Sequence, residues 1–179
     1  MAQCHHGPVR TRGGWGILAT ADARRGWALK PSARNWRIAA ENALNGNRKR
    51  YDATIMPAVV FTDPQVASVG LTEAAARGRG FNVKTSTLKL SYVPRAIAAR
   101  DTRGLIKLVA EASSGKLLGA HILAPEGADS IQTAALAIKC GLTVEQLGAT
   151  IFPYLTTVEG LKLAAQTFTK DVAKLSCCA

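Results

Sequence analysis

The residue types best suited to chemistry stand at the end of the chain, where Cys177 and Cys178 adjoin within AKLSCCA. A thiolate pair is soft and polarisable, and it suits a soft metal ion, above all one that prefers two-coordinate sulfur ligation. Adjacent cysteines can close only a strained vicinal ring, which cross-links no distant segments. Exposed thiols also risk oxidation, so their placement asks for a reason. By itself the pair fits a soft-metal site and an incidental terminal pair equally well. The other candidates are weaker. Cys4, His5 and His6 are good ligand types, but three consecutive residues cannot readily close a tetrahedral shell, and adventitious binding is the better reading. GGWGILA (13–19) has the G-x-G-x-x-A spacing of a dinucleotide loop. That chemistry needs a strand before the glycines and a helix after them, so that a helix N-terminus meets the pyrophosphate. No strand pattern precedes Gly14, and the expected acidic residue about 20 positions on is absent, so the spacing reads as chance. Cys140 reads as a small buried residue on an apolar helix face. His121 reads as a histidine packed within a strand.

Periodicity supplies the elements that must position these groups. Ser32 to Leu44 follows a helical pattern with Ser32 as N-cap and Gly46 as its stop. Asn47 to Asp52 is a charged linker, where a domain boundary is expected. PAVVF (57–61) and QVASVG (65–70) read as strands, and Thr72 caps a helix running to Arg77. Asn82 to Leu90 alternates as a strand, and residues 91–103 form a loop with Pro94 and three arginines. LIKLVAEA (105–112) and KLLGAHILA (116–124) make a β-hairpin across Ser113-Ser114-Gly115. Helices follow at Glu126–Cys140, stopped by Gly141, and at Thr143–Leu147. Thr156 with Glu159 three residues on forms a capping box opening a helix to about Phe168. Strands followed by packed helices predict an α+β fold: an antiparallel sheet flanked by helices.

Bulk properties narrow the function classes. A chain of 179 residues with 47% hydrophobic residues has the material for one ordinary core. It has no run of about 20 apolar residues and no secretory leader pattern, so a soluble, cytoplasmic protein without membrane contact is expected. Four cysteines in this length do not make a disulfide framework. The net charge of +11 is concentrated in residues 1–50, where ten Lys and Arg oppose only Asp22 and Glu41, a net +8. No interleaved aromatics or recognition motif accompany it, so a solvated basic arm is the better reading than nucleic-acid binding.

The terminal thiols do not stand alone. MPAVVFTDPQVASVGLTEAAA (56–76), DTRGLIKLVAEASSGKLLGAHILAPEGADSIQTAALAI (101–138) and IFPYLTTVEGLKLAAQTFTKDVAKLSCCA (151–179) resemble the C-terminal dimerisation domain of mercuric reductases. These are flavoproteins of the pyridine nucleotide–disulfide oxidoreductase family. ARNWRIAAENALNG (33–46) resembles the last helix of that family's flavin domain, and the likeness covers about residues 33–179. The resemblance divides the chain into an irregular basic arm (1–32), a remnant of the flavin-domain helix with its linker (33–50), the dimerisation domain (51–168) and a Cys-Cys tail (169–179).

Dithiol members of the family carry a His-Pro-Thr motif with a Glu three residues beyond the Thr. Laid on this chain, the motif falls on Tyr154, Leu155, Thr156 and Glu159. The family histidine shuttles protons to thiols, and a phenol with an ordinary pKa of about 10 replaces it poorly. Reduction of Hg(II) requires ligand exchange and electrons more than a proton shuttle, so the resemblance implies Tyr154 beside the metal, with Glu159, as catalytic residues. It implies Cys177 and Cys178 as ligands that pass Hg(II), the substrate ion, to a partner's inner thiols. The implied partner is a second copy or an intact reductase subunit. FAD and NADPH are implied for the full-length enzyme but not bound by this chain alone, because the inner redox cysteines and credible nucleotide-binding domains are missing. Asp22 in ATADARRG is at most an echo of a flavin-binding aspartate. The chain is therefore expected to be a truncated or recombined product, inactive in Hg(II) reduction by itself. The alternatives are a generic disulfide-reductase interface domain, resembling that of dihydrolipoamide dehydrogenase, and a non-enzymatic metal-binding or oligomerisation module.

Overall fold

The computed structural model describes residues 9–11, 14–16, 33–46, 48–49, 55–172 and 175. The chain divides into two units, Met1–Ala53 and Thr54–Ala179. In the first, β1 (Val9–Thr11) pairs antiparallel with β2 (Gly14–Gly16). Residues expected to be irregular thus contain a short hairpin. Gly14 and Gly16 lie within β2, and a strand, β1, precedes them where none was expected; residues 17–32, which would have to open the helix of a dinucleotide loop, lie outside the described residues. Helix α1 (Ala33–Asn45) ends before Gly46, whose φ of +80° suits a residue without a Cβ. Asn42 closes the following turn, donating from Nδ2 to the Lys49 carbonyl at 2.7 Å and accepting from the Lys49 amide at 2.9 Å. The expected N-cap Ser32 lies outside the described residues.

The second unit is built on the alternating segments. Its strands are β3 (Ala58–Val60), β4 (Gln65–Gly70), β5 (Val83–Lys89), β6 (Leu105–Glu111) and β7 (Leu117–Ala124). They form one antiparallel sheet in the order β3-β4-β7-β6-β5. The β6–β7 hairpin is the centrepiece, with Ile106 opposite Ile122 and Leu108 opposite Ala120. One face carries Ala67, Val69, Leu88, Ile106, Leu108, Ala120 and Ile122, all buried. Against it pack α4 (Gly127–Lys139), α5 (Val144–Ala149) and α6 (Glu159–Gln166), which contribute Ile131, Leu147 and Leu161 to the same core. Each such Leu or Ile stabilises the fold by roughly 1.5–3 kcal/mol through the apolar area it removes from water. A smaller cluster of Ala76, Val83 and Val109 lies on the opposite face under α2 (Glu73–Gly78), which is capped by Thr72 as its sequence predicts. The α+β architecture is the one expected.

Three expectations need correction. Residues 91–103 are not plain loop: a 3-10 turn at Leu90–Tyr92 runs into α3 (Pro94–Ala98), with Pro94 at the helix start, where its missing N–H costs nothing. Cys140 is exposed, because the apolar face of α4 ends before it. The Thr156–Glu159 capping box does not form: Thr156 Oγ1 donates back to the Pro153 carbonyl at 2.8 Å, and α6 starts later, behind Val158. A full capping box occurs instead at α5, where Thr143 Oγ1 accepts from the Gln146 amide and Gln146 Oε1 from the Thr143 amide. After α6 the chain stays attached to the body, with Val172 and Leu175 packing on the core. Among the described residues no helix is long and apolar enough to cross a membrane.

Candidate functional site

The candidate residues meet on the loop between α5 and α6. Helix α5 stops at Thr150, whose hydroxyl donates to the Gln146 carbonyl at 2.8 Å. The chain then turns outward, leaving Ile151 95% and Tyr154 62% exposed. Leu155 follows with φ of +63°. This left-handed conformation costs a branched residue about 1–2 kcal/mol, and a prolyl ring, fixed near −65°, cannot adopt it. A proline at this position could not make the turn that Leu155 makes.

Beyond the turn the loop dives inward. Thr157 is only 7% exposed, and its hydroxyl donates to Glu126 Oε2 at 2.9 Å. Glu159 opens α6 and is 2% exposed. Its Oε2 has no hydrogen-bond partner among the described residues, an arrangement that costs free energy unless a donor is brought to it. Gly160 permits this seating, because a Cβ there would lie 2.6 Å from Ile106 Cδ1. Gln166 Nε2 donates to the Gly148 carbonyl at 3.0 Å and ties α6 to α5. At the far end of α6, Lys84 Nζ donates to the Phe168 carbonyl at 2.8 Å, where a cation suits the negative end of the helix.

These elements enclose an open cavity of about 760 Å³ between the β6–β7 turn, α5 and α6. Tyr154, Glu159, Phe152, Lys84, Lys162 and Phe168 are among its lining residues. The structure thus brings Tyr154 and Glu159 to one cavity, the phenol at its rim and the carboxylate in its wall. Cys177 and Cys178 lie outside the described residues, as do Cys4, His5 and His6. Among the described residues no three His, Cys, Asp or Glu gather as a metal cluster.

Sequence reasoning missed Glu126. The helix start at Pro125-Glu126-Gly127 marks an acid near an N-cap, but nothing local says that its carboxylate reaches residues 31 positions away. His121 sits within β7 as expected, its Nε2 3.3 Å from the Leu71 carbonyl. Burial pushes its pKa below the ordinary 6.5, and the nearby Lys107 adds to that. Away from the cavity, Arg103 joins Asp101 at 2.7 Å and Asp63 at 3.0 Å, holding the Asp101 carboxyl down at about 2.

Comparison with known proteins identifies the family of the fold. The family model for the pyridine nucleotide-disulphide oxidoreductase dimerisation domain matches residues 56–165. A mercuric reductase of Streptomyces lividans is 58% identical over 142 residues, covering 79% of this chain and 30% of that protein. One of Bacillus cereus is 53% identical over 142 residues, covering 79% of this chain and 22% of that protein. The chain therefore spans less than a third of these curated relatives. Among solved structures, the HOCl-induced flavoprotein disulfide reductase RclA from Escherichia coli superposes with a TM-score of 0.69 at 30% identity, covering 78% of this chain and 32% of that one. LpdA from Mycobacterium tuberculosis does so with a TM-score of 0.67 at 26% identity, covering 77% of this chain and 30% of that one. With the matched domain spanning most of residues 54–179 and its sheet formed in full, the chain belongs to the pyridine nucleotide-disulphide oxidoreductase family through its dimerisation domain.

Proposed function

We propose that this chain is the dimer-forming, Hg(II)-delivering part of a mercuric reductase. The observation that carries the reading is Tyr154, a phenol in the place where dithiol relatives carry a histidine, on the rim of the cavity whose wall holds Glu159. Identities of 53–58% to mercuric reductases, against 26–30% to the disulfide-reductase structures, support the same branch.

In this reading Cys177 and Cys178 bind Hg(II) as two thiolates. Incoming thiolates of the partner displace them one at a time, so the metal is never released to water and its charge never changes during transfer. Tyr154 stands exposed at the cavity rim, where its oxygen contacts the metal as it passes. Glu159 offers a buried acceptor to a donor that the partner brings. The two electrons would be supplied by FAD and NADPH, which the full-length family enzyme would bind. Reduction by this chain alone is not expected.

A titration of the parent and of Cys177→Ala/Cys178→Ala with Hg(II) against a small-molecule thiol competitor tests delivery. The double variant is expected to lose about a hundredfold or more in affinity, since a soft ion gains most from paired thiolates. Equal affinity in the two proteins would remove the tail from the mechanism.

A further inference from the structure

We propose that Glu126 is a positioning residue for the Tyr154–Glu159 loop, acting through Thr157. The proposal rests on the functional reading above. Glu126 precedes α4 in the left-handed region, with φ of +58° and ψ of +21°. A residue at that position ordinarily turns its side chain onto the first amides of its own helix. Glu126 makes no such bond. That duty falls to a side chain from β4, for Gln65 Oε1 accepts from the Ala128 amide at 2.9 Å.

Glu126 thus serves neither its own backbone, which would favour glycine, nor the helix it precedes. Its carboxylate reaches outward instead. Oε2 accepts from the buried Thr157 hydroxyl at 2.9 Å, and Oε1 lies 3.7 Å from Arg95 Nη2 on α3. Thr157 sits midway between the exposed turn at Leu155 and the buried Glu159. The bond therefore pins the inner end of a loop whose outer part is tied by Thr156 closing on Pro153 and by Phe152 packing on the core. With the inner end fixed, the phenol of Tyr154 and the carboxylate of Glu159 keep their places on one cavity. Arg95 holds the Glu126 side chain from the other side. The strained backbone and the unused cap are both explained by this one contact.

Amide hydrogen exchange of the full chain tests the proposal by comparing a peptide spanning residues 152–160 with one from the β6–β7 hairpin. Glu126→Gly relieves the backbone but removes the acceptor, and Thr157→Val removes the donor. Each is expected to speed exchange of the loop peptide about fivefold and to leave the hairpin peptide unchanged. Glu126→Gln keeps an acceptor for Thr157 and is expected to restore most of the protection, and Glu126→Gly/Thr157→Val should exchange no faster than either single variant. Loop exchange within twofold of the parent in Glu126→Gly would overturn the assignment, as would equal acceleration of the hairpin peptide. Hg(II) competition on the parent is read separately. If the parent binds no Hg(II), the mercury reading falls, while the exchange comparison still decides the role of Glu126 in the loop.

Discussion

Along β6 and β7, Ile106, Leu108, Ala120 and Ile122 are buried side by side, every strand between them paired in register. Across the α5–α6 loop, Ile151 and Tyr154 face solvent, Leu155 holds a left-handed backbone, and at the start of α6 Glu159 buries an oxygen without a partner among the described residues. The two regions spend the same kinds of interaction in opposite ways. The hairpin has close packing and local consistency. The loop carries strain and unmet polar demand, tied by Thr157 to Glu126, by Thr156 to Pro153 and by Phe152 to the core. Strain of this kind persists only where the surroundings over-determine it. The sheet and its helices are those surroundings, so stability is concentrated in one region and strain in the other.

The largest test of that contrast removes packing from the hairpin. Leu108→Ala should cost about 3 kcal/mol, because it deletes a fully buried side chain and leaves a cavity. Denaturant midpoints with an unchanged slope would show it, and a loss under about 1 kcal/mol would mean that the hairpin is not the centre of stability. In the loop the sign should reverse. Leu155→Gly relieves the left-handed backbone against a larger unfolded-state entropy, for a net gain of up to about 1 kcal/mol in thermal melts. A clear loss there would show that the Leu155 side chain, not its backbone, matters.

The smallest effect concerns pH and belongs to the sheet. Burial lowers the pKa of His121, so below pH 6.5 the unfolded chain takes up a proton that the folded chain resists. Stability from this group is complete above 6.5 and declines as pH falls toward the lowered folded value. His121→Gln should flatten that part of the profile, measured as melting temperature between pH 7 and 5. An unchanged slope would place the acid sensitivity elsewhere.

Much of the sheet was legible because its signals are local and repeated. QVASVG became β4 at the same residues, and the Ser113-Ser114-Gly115 turn joined the two strands it was expected to join. Stops at Gly46 and Gly141 fell where a left-handed residue was needed. The loop was less legible. Thr156 and Glu159 have the spacing of a capping box, but Thr156 closes locally on the Pro153 carbonyl and Glu159 enters the core, while neighbouring Thr157 reaches Glu126. No local pattern signals a bond spanning 31 positions. Helix α3 was missed because five residues are too few to display a period. Tyr154 and Glu159 were found through family likeness rather than periodicity, and the structure adds the cavity that they share.

The packing of Leu175 on the core has a consequence for the residues that follow it. Counted from the end of α6, the thiols would hang on a tether of some ten residues. Counted from Leu175, which is held to the core and whose amide donates to the Val172 carbonyl at 3.2 Å, the tether is two or three residues long. Covalent geometry limits the reach of a tether of two or three residues to about 7–11 Å. In the proposed delivery, an acceptor for Hg(II) would therefore have to be brought within that reach by docking.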